Sequence, residues 1–297
     1  MANRRVLVKR RKAVRNIRKI TRTMQLIATA RFQAAFNRAV ATKPYTEKLA
    51  ELVGDLSRAA GHVDHPLLKN HDDVPRSALI VLTSDRGLAG GYNANVLRTA
   101  VAHIDQQVGS GAEVDVHMVG KKGIGFFRFL RRPVGEQTTQ IGDRPRFEQV
   151  EPIANALMDR FTRGEIASAH VAYMRFYSAG VQRPAVVQLL PLTPQVEGTE
   201  GAEEQPAVGP PPVEYEFSPD PRQLLDELLP ATVRARLFQA FNDAVVSEQV
   251  ARMVAMKAAT DAAGDMIKSL TREYNRARQT QITMELLDIV GGANALS

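Results

Sequence analysis

Two long stretches almost free of helix breakers, one toward each end of the 297-residue chain, constrain its fold more than anything between them. From Val6 to Tyr45 there is no glycine, and the first proline is Pro44. Apolar residues fall at Val14, Ile17, Ile20, Met24 and Ile27, with Ala28, Phe32, Ala35, Phe36 and Ala39 beside them. Steps of three and four mark one helical stripe, and arginines and lysines occupy the opposite face. Pro44 is expected to bend or interrupt the helix, with the pattern resuming through Leu49, Leu52 and Leu56 until Gly61.

After Pro230 the only breaker before Gly291-Gly292 is Gly264. A helix from Ala231 to Val290 would hold 60 residues, about 90 Å at about 1.5 Å per residue, so it must protrude from a domain of this size. Its apolar positions run Leu237, Ala240, Ala244, Ala251, Val254, Ala258, Ala262, Met266, Leu270, Ile282, Leu286 and Ile289. Sustained spacing of that kind predicts a coiled coil, alanine-rich between Ala251 and Ala263, with Gly291-Gly292 as its stop signal. Either helix alone would leave its stripe wet, so the two ends are expected to pair as an antiparallel coiled coil.

Between them the pattern changes. Ser77 to Thr83 is a short apolar run ending in the turn-forming SDRGLAGGYN of Ser84 to Asn93. A helical pattern covers Ala94 to Gln107, a strand-like run covers Ala112 to Val119 before GKKG, and a second helix covers Pro152 to Arg163. Ala167 to Tyr177 and Pro184 to Leu190 read as further strands. Strands alternating with helices predict a small α/β domain with a mostly parallel sheet. The expected organisation is a first shaft helix over 1–60, the α/β domain over 75–193, an acidic proline-rich insertion over 194–221 and a second shaft helix over 222–297. Within the insertion, Thr193 to Pro212 reads as extended and mobile, carrying Glu197, Glu200, Glu203 and Glu204, and Tyr215 to Phe217 as a short edge strand.

The net charge of +7 is unevenly spread: +13 in residues 1–48, −7 in 49–230 and +1 in 231–297. A basic arm on an acidic body seeks phosphate, an acidic membrane surface or an acidic protein. A nucleic-acid-binding adaptor is the alternative use of such an arm, but before Phe32 it offers no aromatic platform. Without cysteine there is no disulfide framework, thiolate metal site or cysteine nucleophile, which fits a reducing compartment. The longest uncharged run, Pro184 to Val196, has 13 residues and three prolines, too short and broken to span a bilayer. No secretory signal is expected, since the first residues are basic with no apolar core behind them. His62 and His65 lack convergent ligands, and nothing pairs a nucleophile with a base. SDRGLAGGYN follows a strand and precedes a helix, as a phosphate loop would, but it lacks both the terminal Gly-Lys-Ser/Thr and the G-x-G-x-x-G spacing. Tight-turn packing, with Arg86 left for a subunit contact, is the expected role.

In three places the sequence resembles the gamma subunit of F-type ATP synthases: Arg18-Lys19-Ile20-Thr21 with Met24 and Ala28 to Ala30; Thr83 to Leu88 followed by Gly90-Gly91-Tyr92-Asn93; and Ser247 to Ile267 continuing into Tyr274 to Leu296. The resemblance implies a rotor shaft with no active site and no cofactor of its own. Its implied partners are three alpha and three beta subunits around the coiled coil, with an epsilon subunit and the c-subunit ring at the foot. Association with the cytoplasmic face of a bacterial inner membrane would then be indirect, through the c ring, with no nucleic-acid partner. Contacts to the catalytic ring are implied for Met24, Arg252, Arg278, Gln279, Thr283 and Glu285, and contacts to the foot's neighbours for Arg86 and Tyr215. Ser218 departs from the acid expected before Pro219.

Overall fold

The structure is a computed structural model that describes residues 4–60, 65–71, 73–192 and 221–295. The acidic insertion, Tyr215 and the candidate strand around it, Ser218 and His62 lie outside the described residues. The chain divides into two compact units, one of residues 1–30, 88–90 and 250–297, the other of residues 31–87 and 91–249. Two helices contribute to both: α1 (Arg4–Ala60) and, last in the chain, α5 (Pro221–Ala295).

The larger unit holds the α/β fold. After α1 come β1 (Arg76–Leu82), α2 (Tyr92–Gly109), β2 (Glu113–Val119), α3 (Lys121–Phe129), β3 (Gln137–Thr138), α4 (Phe147–Thr162), β4 (Ser168–Ser178) and β5 (Val181–Leu190). The sheet order is β3-β2-β1-β4-β5, parallel except for the antiparallel edge pair β4–β5. Every residue of β1 after Arg76 is buried, as expected of a central parallel strand covered on both faces. Ala78, Ile80 and Leu82 join a core with Ala154, Leu157 and Phe161 of α4 and Leu229, Val233 and Leu237 of α5. The alternate side chains, Leu79 and Val81, belong to the opposite face of the sheet, and α2 packs on the same strands.

Both ends of α5 lie beyond the Ala231–Val290 helix read from the breaker pattern, and its start falls within a residue of the second shaft segment expected from 222. α5 begins at Pro221, passes through Pro230 and continues through Gly291-Gly292 to Ala295. A proline inside a helix costs about 3 kcal/mol, whereas fully burying a leucine or valine gains about 1.5–3 kcal/mol. Leu225, Leu229, Val233 and Leu237 are all fully buried at four-residue spacing, so packing outweighs the proline. Glycine permits a helix to stop without compelling it. α1 is a single helix across Pro44, in keeping with the single first shaft helix expected over 1–60. α3 has no counterpart in the sequence reading, which assigns no element to the segment after GKKG. Gly120 has φ 95°, and a Cβ there would sit 2.2 Å from the Thr83 carbonyl oxygen; at Gly123 it would sit 2.2 Å from Met118 Sδ. These glycines let α3 start against Thr83, whose hydroxyl accepts the Gly123 N–H at 2.9 Å and donates to the Val119 carbonyl at 2.7 Å.

In each unit α1 and α5 run side by side, antiparallel. Within the larger unit Thr42 Oγ1 donates to Gln239 Oε1 at 2.8 Å, and Ala35, Ala39, Val245 and Val246 form a small core with Phe32, Phe36 and Phe176. Within the smaller unit Thr260 Oγ1 donates to Thr21 Oγ1 at 2.8 Å, and the Arg11 guanidinium lies 5.0 Å from the Tyr274 ring centroid. Here the predicted stripe is rotated from the true seam. Leu7, Val14, Thr21, Gln25 and Ala28 are buried or half-buried on α1, as are Met256, Thr260, Ala263, Ile267 and Leu270 on α5. Ile17, Ile20, Ile27, Val254, Ala258, Ala262 and Met266, all assigned to the stripe from sequence, are exposed. The expected stripe caught Val14, Met24, Ala28 and Leu270 of the packed side together with outward residues; the seam itself mixes apolar side chains such as Leu7, Met256 and Leu270 with small and polar ones such as Ala263, Thr21 and Thr260.

Candidate functional site

The loop after β1 is organised by side-chain bonds within the larger unit. The Ser84 N–H donates to Asn93 Oδ1 at 2.9 Å, and the Ser84 hydroxyl donates to the Arg86 carbonyl at 2.6 Å. Asp85 accepts the Lys121 N–H at 3.1 Å through one oxygen and the Gln140 N–H at 3.0 Å through the other. The start of α3, the position where a helix favours an anion, is therefore filled by a carboxylate of the chain itself. Such a loop cross-braces the carboxyl ends of β1 and β2. It borders a cleft of about 350 Å³ lined by both signs of charge, including Arg86, Lys121, Asp143 and Glu248. Arg86 is exposed, as an outward contact requires.

A second constellation escaped the sequence reading. Asp143, on the loop between β3 and α4, pairs with Arg31 of α1, and its other oxygen accepts Gln249 Nε2 of α5 at 2.8 Å. Its main-chain carbonyl accepts Arg38 Nη2 at 2.9 Å. Gln249 is fully buried, and its Oε1 has no partner among the described residues. Burial lowers the pKa of Arg38 below the ordinary guanidinium value, and Arg144 adds to the lowering, while Asp143 opposes it. One aspartate thus ties the α/β domain to both long helices inside the larger unit. Its only local signal is a polar Gly-Asp turn; its partners are more than 100 residues away in sequence.

Of the residues implicated by resemblance, Met24 is half-buried and Arg252 is buried at 9% exposure, so in this chain Arg252 belongs to the packed side of α5. From Arg278 to Gly291 every residue of α5 is exposed. Gln279 accepts the Thr283 hydroxyl at its main-chain carbonyl at 3.0 Å, and Glu285 accepts Gln281 Nε2 at 2.8 Å. Arg278 and Gln279 stand on open helix surface, and Ile282, Met284, Leu286, Leu287, Ile289 and Val290 are all open to solvent beside them.

The comparisons with known proteins agree along the whole chain. A family model described as ATP synthase matches residues 3–296. The ATP synthase gamma chain of Rhodopirellula baltica is 44% identical over 300 aligned positions, covering 100% of this chain and 99% of its own. That of Leptospira biflexa is 40% identical over 297 positions, covering 100% of both. Among solved structures, a chain of the Euglena gracilis mitochondrial ATP synthase (OSCP/F1/c-ring, rotational state 3) aligns with a TM-score of 0.65 at 17% identity, covering 99% of this chain and 94% of that one. A chain of the same organism's rotor gives 0.61 at 15% identity, covering 94% and 98%. At those identities the structural likeness speaks for the fold alone.

Proposed function

This chain belongs to the ATP synthase gamma-chain family, and we propose that it is the central rotor stalk of an F-type ATP synthase, coupling rotation of a c-subunit ring to ATP synthesis. The observation that carries this reading is the far end of α5. Ile282, Met284, Leu286, Leu287, Ile289 and Val290 are 44–68% exposed and fall on more than one side of the helix. Exposed apolar residues on more than one side of a helix, interleaved with polar ones, make a surface suited to being covered by a partner. Apolar contact is non-directional, so an enclosing socket can hold such a helix without bonds that would have to break when it turns. No helix among the described residues is long and apolar enough to cross a membrane, which leaves a protein collar as the enclosing surface.

Coupling follows from asymmetry. Two unequal helices lack three-fold symmetry, so three surrounding beta subunits meet different faces. Driving one site from 1:99 to 99:1 between open and closed takes about 5.5 kcal/mol of differential contact. The outward apolar residues Ile17, Ile20, Leu26 and Ile27 and the polar set Arg278, Gln279, Thr283 and Glu285 are available to supply it. Linkage makes the coupling reciprocal, so nucleotide occupancy also biases the stalk's angle, and hydrolysis turns it backwards. In this assignment Met24 faces the moving part of beta while Arg252 lies behind it on the packed side of α5, Arg86 and Tyr215 serve the foot toward the epsilon subunit and c ring, and the complex lies at the cytoplasmic face of a bacterial inner membrane. Reconstitution with alpha and beta subunits tests the reading: rotation-coupled ATPase activity should require this chain. An alpha/beta complex equally active with and without it would overturn the proposal.

A further inference from the structure

A cavity of about 220 Å³ lies where α4 crosses the edge of the sheet, and the stalk function makes no use of it. It forms because β3 is so short. β3 pairs only with Met118 and Val119, so β2 has no neighbouring strand beside Asp115 and His117. Ile153, Ala156, Leu157 and Arg160 of α4, at steps of three and four, line the space over that edge. Its floor is apolar: Ala78, Ile80 and Leu157 are all buried. Its polar groups are Asp115, Arg160, His117 and Glu136. Asp115 pairs with Arg160, which also meets Glu165 at 3.6 Å. Glu136 has no lysine or arginine partner among the described residues, and its carboxylate lies 3.1 Å from Nδ1 of His117. A carboxylate can only accept, so Nδ1 carries the ring proton, and Nε2 accepts the Thr138 hydroxyl at 2.8 Å. Burial lowers the pKa of His117 against the pull of Glu136, which keeps the ring neutral at pH 7. One carboxylate, 69% exposed, is thus left without a neutralising cation beside an apolar cavity.

We infer that this cavity binds a small primary monoamine, its alkyl chain on the apolar floor and its ammonium against Glu136. Charge and size select that ligand. An anion would meet the unneutralised Glu136 carboxylate. A diamine would carry its second charge onto a floor with nothing to pair it, and burying an unpaired charge is costly. A neutral alcohol fills the floor but leaves Glu136 without a counter-charge. Sites for drug-sized ligands run to about 300–1,000 Å³, so a space of about 220 Å³ suits a short aliphatic chain. A primary amine resembles the lysine ammonium, whose pKa is about 10.4, and is charged at neutral pH. The inference rests on the larger unit alone and is independent of the stalk assignment.

Calorimetry and ligand-observed NMR on the full chain test this with the amines themselves. From propylamine through butylamine to pentylamine, affinity should rise about fourfold per methylene. Pentanol should bind about fivefold more weakly than pentylamine, and cadaverine, the diamine of the same length, more weakly than pentylamine too. Glu136→Gln should weaken pentylamine about fivefold and leave pentanol unchanged. Ala156→Leu places a larger side chain in the cavity from an exposed position of α4, and leucine is nearly as good a helix former as alanine. It should abolish binding of both ligands while thermal unfolding of the free chain stays the same. The inference fails if no amine binds saturably, if affinity does not grow with chain length, or if cadaverine or pentanol matches pentylamine. It fails equally if Glu136→Gln leaves pentylamine binding unchanged.

Discussion

Replacing Asp143 by alanine tests whether one loop residue fastens the α/β domain to the long helices. Truncation removes the acceptor of Gln249 Nε2, whose side chain is fully buried and whose Oε1 already lacks a partner among the described residues. Stranding a buried donor costs about 1–3 kcal/mol. The Arg31–Asp143 pair is about one-third exposed on each side, so its loss adds at most about 1 kcal/mol after screening. The Arg38 bond goes to the main-chain carbonyl and survives. The expected loss is therefore about 2–3 kcal/mol, or about 5–10 °C in Tm for a unit of this size. Urea unfolding should show a lower midpoint with an unchanged slope.

Asp143→Asn keeps an oxygen for Gln249 and should lose less than about 1 kcal/mol. Gln249→Leu removes the stranded amide altogether, so in that background Asp143→Ala should cost only about 1 kcal/mol or less. The double-mutant cycle should give a coupling of about 1–2 kcal/mol. If Asp143→Ala changes stability by less than about 0.5 kcal/mol, or if the two substitutions simply add, the constellation is a surface pair and the reasoning from burial is wrong.

Gly120→Ala combines a left-handed φ with a 2.2 Å clash against backbone and should cost about 4 kcal/mol, while Gly123→Ala, which meets mainly the Met118 sulfur, should cost about 2 kcal/mol; chemical denaturation ranks them. Burial raises the pKa of Asp243 to about 6, so the native state holds a proton that the unfolded state releases, and stability falls as pH rises through about 4 to 6; Asp243→Asn should flatten that fall, up to about 3 kcal/mol at about 1.36 kcal/mol per unit. His170 carries the opposite sign: burial, and the neighbouring His103, hold its pKa down at about 4, so stability is lost as pH falls from about 6.5 to 4, and His170→Phe should remove that limb of the same pH profile. Arg278→Ala with Gln279→Ala, both on exposed helix, should leave thermal unfolding of the chain nearly unchanged but lower ATPase turnover of the reconstituted complex; equal turnover loss in an Arg98→Ala control would remove the case for a specific contact.

The sheet was legible because its strands are chemically extreme. Buried on both faces, β1 reads as a continuous apolar run and β4 as a mostly apolar one, and their observed ends fall within a residue or so of the expected ones. β3, with only two residues, carries no pattern to read. α3 hid behind glycines whose reason is tertiary, the close approach to Thr83, and Pro230 misled because its cost is local while the leucines that offset it pack against distant elements. Asp143 was illegible for the same reason, since its significance is conferred by partners on α1 and α5. The exposed polar residues near the end of α5 were found through family resemblance, and no spacing rule would have singled them out from other exposed polar positions.

The misread seam explains something the correct one would not. A coiled coil closed by leucines and isoleucines gains stability but tolerates slippage by a heptad, because each layer resembles the next. In the smaller unit the layers differ: Thr21 bonds Thr260, Arg11 covers Tyr274, and Gly264 lies within 4 Å, at its absent Cβ, of the Arg18 guanidinium. A shift of seven residues, about 10 Å, would separate all three pairs at once and leave Thr260, which is 6% exposed, without its partner hydroxyl. Polar seam residues thus trade stability for a single register, the best-attested use of buried polar groups. The large apolar side chains displaced from the seam are the ones that face outward, at Ile17, Ile20, Val254 and Met266. For a stalk that transmits torque the exchange is sensible on both counts: the two helices cannot creep past each other under load, and the surface offered to a surrounding collar grips by shape and burial without directional bonds.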